Sequence, residues 1–251
     1  MGITIHQFAC LQDNYGYLVR DEASGAVATI DTPEAAAILR ALAETGWTLT
    51  HILNTHWHPD HAGGNEELKQ KTGAVIYGPG EVRKCGPLDH EVGDGDIVML
   101  GETRFEVMDT GGHTLSHITY YSPAEHVAFV GDTMFTMGCG RVFEGTAEQM
   151  WTSLSRLAAL PADTRVYSAH EYTLGNARFA VSVDDDAAVS ARLEAVARKR
   201  ERGEPTVPTT IGEERATNPF LRAPQLAIAA DATAPYEAFA RVRAAKDNFK
   251  G

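Results

Sequence analysis

A chain of 251 residues, 43% hydrophobic and 22% charged, has the composition of an ordinary folded protein, with room for one large domain or a main domain and an appendage; disorder and a disulfide-stapled miniature are excluded. Its 22 basic against 34 acidic residues leave a formal net charge of −12, the wrong sign for tracking a phosphate backbone, so no nucleic-acid partner is expected. Three cysteines without a Cys-x-x-Cys pair, no basic-then-apolar leader and no run of about 18 apolar residues point to a reducing, cytoplasmic setting with no membrane span.

In chain order, short apolar or β-branched runs punctuated by Gly, Asp and Asn predict strands at residues 3–8, 16–20, 26–30, 52–54, 75–77, 97–100, 104–109, 118–122, 127–130 and 165–168. Helices are predicted at 33–45, 64–72 and 147–160. Strands interspersed with helices argue for an α/β layered domain rather than a bundle. Beyond Tyr172 the texture changes to Ala, Arg and Glu at helical spacing. Asp184 to Asp186 put negative charge where a helix begins, and Arg198 to Arg202 put positive charge where it ends, before Gly203-Glu204-Pro205. The basic run therefore reads as a solvated helix end. A Pro- and Thr-rich connector at 205–210 leads through Asn218-Pro219-Phe220 to a last helix at 235–249. The expected boundary lies near residue 173, giving domains 1–173 and 174–251.

The densest chemical signal is Thr55-His56-Trp57-His58-Pro59-Asp60-His61, directly after a predicted strand. In extended backbone, side chains two apart point the same way, so His56, His58 and Asp60 are expected to converge while His61 points elsewhere. A lone histidine here would be an ordinary satisfied polar residue; three with an aspartate in six positions read as metal ligands. His113, Asp132 and His170 each follow a predicted strand as well. Together these supply five histidines and two carboxylates, enough for two adjacent cations, and a thiolate-free set suits Zn, Fe or Mn. Asp31 and His117 are candidates for supporting the ligands from behind.

His-x-His-x-Asp-His at residues 56–61 resembles the signature of the metallo-β-lactamase superfamily. Further segments resemble, within it, the hydroxyacylglutathione hydrolase (glyoxalase II) family: Asp13-Asn14-Tyr15, Gly131-Asp132-Thr133, Gly138-Cys139-Gly140-Arg141, Glu144-Gly145-Thr146, His170-Glu171-Tyr172-Thr173, Gly203-Glu204-Pro205-Thr206-Val207-Pro208, Asn218-Pro219-Phe220 and Lys246-Asp247-Asn248-Phe249-Lys250. The resemblance implies an αββα sandwich with a small helical C-terminal domain. It implies two divalent ions, zinc first with iron or manganese as alternatives. One ion would be held by His56, His58 and His113, the other by Asp60, His61 and His170, with Asp132 bridging. It also implies hydrolysis of S-D-lactoylglutathione to glutathione and D-lactate by a metal-bridging hydroxide, the second step of methylglyoxal detoxification, with Asp60 and Asp132 catalytic. Arg141, Phe143, Tyr172, Arg243 and Lys246 fall at its glutathione contacts, in a protein expected to be a monomer. Phe143 stands where family members often carry Tyr, and Arg141 where the usual residue is Lys; the first lacks a hydroxyl and the second alters donor geometry.

Three rival functions and one rival mechanism stand against this reading. A mononuclear-iron glutathione persulfide dioxygenase shares the resemblance to the fold, but such proteins generally lack a helical segment like 174–251. A metal-dependent phosphodiesterase or nuclease is disfavoured by the net charge. A non-catalytic metal-binding protein would show a damaged ligand position, and none is seen. Cys139 as a nucleophile has no evident base partner in the sequence.

Overall fold

The first ladder is a hairpin: β1 (Ile3–Cys10) and β2 (Asn14–Asp21) pair antiparallel from Ile3 opposite Asp21 to Cys10 opposite Asn14. The structure, a computed structural model, describes residues 2–251. These form two units, one running to Asp109 and again over Ser116–Gly131, the other made of Thr110–Leu115 and Asp132–Gly251.

In the first unit, β2 continues antiparallel into β3 (Val27–Ile30). After α1 (Ala35–Thr45), β4 (His51–Leu53) returns parallel to β3. The single helical turn α2 (Pro59–Ala62) and α3 (Asn65–Thr72) follow, then β5 (Val75–Gly78) and β6 (His90–Glu91), which extend the parallel part of the sheet. The cause is legible locally. Helix α1 buries Ala35, Ala37, Ile38, Ala41 and Leu42 on one face and stops at Gly46, whose φ of 70° is the left-handed cap that glycine adopts without strain. That face joins Leu18, Val27, Ile52, Leu68 and Ile76 in one core. A second sheet is antiparallel, with β7 (Ile97–Leu100), β8 (Thr103–Asp109), β9 (Ile118–Ser122) and β10 (Val127–Gly131) side by side. Strands β9 and β10 are buried throughout. Tyr17 meets Phe129 across the two sheets at 5.8 Å between ring centroids. Tyr120, fully buried, donates to the Asn54 carbonyl at 3.0 Å, and burial holds its phenol well above the usual range.

The second unit holds the small hairpin of β11 (Met134–Phe135) and β12 (Gly138–Cys139), then α4 (Ala147–Ala158), β13 (Arg165–Ser168), α5 (Thr173–Val183), α6 (Ala187–Glu201), β14 (Thr209–Thr210), α7 (Ile211–Thr217) and α8 (Pro235–Asp247). Strands β13 and β14 pair antiparallel. Rings of Phe179, Phe220, Phe239 and Trp151 follow one another at 6.0, 6.1 and 6.5 Å through its interior. Two helices differ from the sequence reading. Helix α5 carries Gly175 and three β-branched residues, which mask its period, and is set by its buried face of Asn176, Ala177, Phe179 and Ala180. Helix α7 follows directly on the stretch read as connector, where no helix was expected, and is started by a reciprocal Thr210–Glu213 capping box. Among the described residues no helix is long and apolar enough to cross a membrane.

Glu214 ties this unit together. Fully buried on α7, it accepts from the Met137 N–H at 2.8 Å, Asn218 Nδ2 at 2.8 Å, Thr209 Oγ1 at 2.7 Å and Arg192 Nη2 at 2.6 Å. Asn218 in turn donates to the Gly138 carbonyl at 2.9 Å, so one carboxylate sets the β11–β12 hairpin. Replacing it leaves Arg192, whose side chain is only 13% exposed, without its counter-charge. Glu214→Ala is expected to lower unfolding free energy by about 3 to 5 kcal/mol in a denaturant titration; a loss below about 1 kcal/mol would show that the network is dispensable.

Candidate metal centre

In the first unit the histidine-rich loop leaves β4 without regular structure as far as His58. Pro59 at the start of α2 turns the chain into a helical turn, which replaces the alternating pattern expected across residues 56–60. His56 and His58 face each other, Nε2 to Nδ1 at 3.1 Å. Asp60 goes instead with its neighbour on the turn, its Oδ2 lying 3.5 Å from His61 Nε2. Asn14 holds the Asp60 carboxylate from β2, Nδ2 to Oδ2 at 3.2 Å.

Behind the loop stands Asp31, 5% exposed, just past β3 with a φ of 57°. Aspartate is among the few residues with a side chain that tolerate this left-handed backbone. Its Oδ1 accepts the Thr55 N–H at 2.7 Å, and its Oδ2 accepts Thr55 Oγ1 and His61 Nδ1, both at 2.8 Å. The hydrogen of Thr55 Oγ1 is thus committed to Asp31, so at the 3.0 Å contact with His56 Nδ1 the imidazole is the donor. Both His56 and His61 therefore carry their proton on Nδ1 and present the Nε2 lone pair, the tautomer that ligates metal. His117, fully buried, stacks on His56 with centroids 4.8 Å apart. A Cβ at Gly131 would come within 2.5 Å of Thr55 Oγ1 and 2.6 Å of His117 Nε2, so only glycine fits there.

In the second unit, Asp132 directs one oxygen to each of two histidines: Oδ2 is 3.3 Å from His113 Nε2 and Oδ1 is 3.4 Å from His170 Nε2. His113 Nδ1 donates to the Arg141 carbonyl at 2.8 Å, which again leaves Nε2 as the lone pair. A lone pair facing a carboxylate oxygen is repulsive unless a cation or proton lies between, and the same holds for His61 and Asp60. Imidazole and carboxylate donors in this tautomeric state fit divalent ions of the Zn, Fe or Mn kind. Gly140 has no room for a side chain, since a Cβ would lie 2.0 Å from the Asp132 carbonyl oxygen.

His113 and Asp132 also line a cavity of about 740 Å³ within this unit. Its walls carry Arg141, Arg200, Arg243 and Lys246 against Asp132, Glu171 and Asp247, a basic lining in an acidic protein. The Tyr172 ring stacks on His170 at 4.7 Å with planes 3° apart, and Phe143, 61% exposed, lies 5.2 Å from His113. Lys246 Nζ donates to the Gly175 carbonyl at 2.9 Å and sits over the rings of Phe179 and Phe249. Burial, then Arg243, lowers its pKa, while Asp247 partly restores it. Arg243 is 8% exposed and largely committed, to the Cys139 carbonyl at 3.1 Å and to Asp247 at 2.7 Å. The Cys139 thiol is buried and burial pushes it up to about 11, so at neutral pH it is not a nucleophile. Sequence reading missed Glu171 and Arg200 as lining residues. Glu171 stands between two assigned positions, and Arg200 hides in the basic run of α6.

Comparison with known proteins places these features in a family. Residues 28–170 match the metallo-beta-lactamase superfamily, and residues 171–249 match the hydroxyacylglutathione hydrolase C-terminus. The chain is 53% identical over 250 residues to a hydroxyacylglutathione hydrolase of Erythrobacter litoralis, covering 98% of this chain and 100% of that one. It is 51% identical over 253 residues to one of Maricaulis maris, covering 98% and 99%. Among solved structures, ETHE1 from Myxococcus xanthus superposes with a TM-score of 0.70 at 29% identity, covering 96% of this chain and 90% of that one.

Asp31 touches two residues of the loop without belonging to either set of expected ligands. Asp31→Ala is expected to weaken metal retention by about 10- to 100-fold in competition with a chelator, and unchanged retention would leave the tautomers of His56 and His61 without consequence.

Proposed function

Because the chain belongs to the hydroxyacylglutathione hydrolase family, on a metallo-β-lactamase fold with a helical C-terminal region, we propose that it cleaves S-D-lactoylglutathione to glutathione and D-lactate, as the second step of methylglyoxal detoxification. The observation that carries this reading is the shared cavity: His113 and Asp132 line it together with Arg141, Arg243 and Lys246. Metal donors and anion binders face one volume of the size that suits a small ligand.

The ligand sets belong to the same proposal. His56, His58 and His113 would hold one ion; Asp60, His61 and His170 would hold the second; Asp132, with its two oxygens turned to different histidines, would serve both. Zinc is the ion proposed. When bound, such a pair of cations supplies Lewis-acid charge and lowers the pKa of water toward neutrality. The protein's own groups do the rest. Asp60, steadied by Asn14, orients the attacking water. Lys246 and Arg141 draw in a carboxylate of the tripeptide, while Arg243 adds positive charge from within the wall. The leaving thiol, with an ordinary pKa of about 8.5, departs as thiolate without a strong general acid. Tyr172, lying flat on His170, forms part of the cavity wall. In this division residues 1–173 carry the chemistry and residues 174–251 contribute to glutathione binding.

Thiol release from S-D-lactoylglutathione by the metal-loaded protein is the test, beside Asp132→Ala. The expected outcome is rapid release with about two metals per chain, and joint loss of metal and activity in the variant. A wild type with both metals bound and no thiol release would remove this substrate. For Lys246→Ala, KM is expected to rise about 10-fold with kcat little changed, since remote binding energy is removed. Because the lysine's pKa lies below its ordinary 10.5, the charged form that binds carboxylate is lost earlier on the alkaline side. KM should therefore climb at a lower pH than a free lysine would dictate, and Lys246→Arg should flatten that climb.

A further inference from the structure

The basic run at the end of α6 does not behave as one solvated cluster. Arg198 and Arg202 have side chains 61% and 55% exposed, and they pair with Glu194 and Glu204. Arg200 turns the other way, is 32% exposed and lines the cavity. Its Nη1 donates to the Glu204 carbonyl at 2.7 Å and lies 3.5 Å from Glu171 Oε2. Glu171 is itself fixed by the Thr206 N–H at 2.9 Å and by Thr206 Oγ1 at 2.7 Å. The guanidinium is thus held in place before any ligand arrives, with Nε and Nη2 still available to donate.

The charges of the cavity fall into two groups. On the α8 side, Lys246, Arg243 and Arg141 surround the single carboxylate of Asp247, a cationic cluster that suits a simple carboxylate. On the α6 side, Arg200 and Glu171 put one cation and one anion side by side, which suits a group bearing both signs. The two arms of glutathione differ in the same way. Its glycine end carries a carboxylate alone, whereas its γ-glutamyl end carries an α-carboxylate and an α-ammonium on one carbon. We propose that Arg200, oriented by Glu171, determines specificity for the γ-glutamyl arm by binding its α-carboxylate. This rests on the reading that a glutathione thioester occupies the cavity, and it adds a recognition residue that the basic run of the sequence conceals.

The test is calorimetric binding of S-methylglutathione, which is not hydrolysed, to the metal-loaded protein. It is run beside two analogues, one with the γ-glutamyl α-carboxylate and one with the glycine carboxylate converted to carboxamide. Arg200→Ala is expected to weaken binding of S-methylglutathione and of the glycine carboxamide by about 10-fold each, as for a charged hydrogen bond. It should leave the γ-glutamyl carboxamide unchanged. Arg200→Lys should recover part of the loss, and Arg202→Ala, at the exposed neighbour, should show none. Equal weakening for all three ligands, or loss of the effect only with the glycine carboxamide, would overturn the assignment. So would a wild type that binds none of them. Thiol release from S-D-lactoylglutathione without the selective Arg200 effect sinks this proposal alone; the selective effect without thiol release sinks the activity instead.

Discussion

A buried carboxylate at a backbone position that few residues accept is the constraint on which the histidine loop depends. Asp31 closes β3 with a positive φ, and its two oxygens take up the Thr55 N–H, the Thr55 hydroxyl and His61 Nδ1. Burial makes each of these bonds obligatory, because an unmet charge in that place costs several kcal/mol. The consequence passes outward through hydrogen positions rather than through bulk. Thr55 turns its proton inward, His56 donates to Thr55, and two imidazoles are left with Nε2 lone pairs. The parallel pairing of β3 and β4, which brings the ends of the two strands side by side, makes this relay short enough to work.

The second unit solves a different problem, that of holding positive charge in an acidic protein. Its cavity lining is basic, yet three of its four cations are tethered: Arg243 to Cys139 and Asp247, Lys246 to the Gly175 carbonyl, Arg200 to Glu204 and Glu171. Tethering lowers the entropy cost of organising long side chains around a ligand. It also explains why the hairpin that carries Cys139 is pinned from below by Asn218 and Glu214. Movement there would displace the Cys139 carbonyl to which Arg243 is bonded.

Much of the fold was legible because its period was strong. The α1 stripe, the β9 and β10 runs and the charged ends of α6 each carry a local signal that agrees with their tertiary role. Helix α5 was hidden by Gly175 and β-branched residues, and α7 by its shortness, so that only the capping box marked it. At the loop, period-two reasoning failed after His58 because Pro59 begins a helical turn. That changes which side chain accompanies Asp60.

By itself the sequence determined the inventory: a histidine and aspartate donor set without thiolate, a chain of α/β texture followed by helices, and motifs of a recognisable family along nearly its whole length. These are properties of residue type and spacing, and they survive without coordinates. Only the tertiary structure decided which nitrogen of His56, His61 and His113 donates, that the Cys139 thiol is buried and inert, and that Arg200 leaves the basic run of α6 to line the cavity. Such distinctions depend on what lies within about 3 Å of an atom. Those neighbours come from residues far apart in the chain, so no local pattern encodes them.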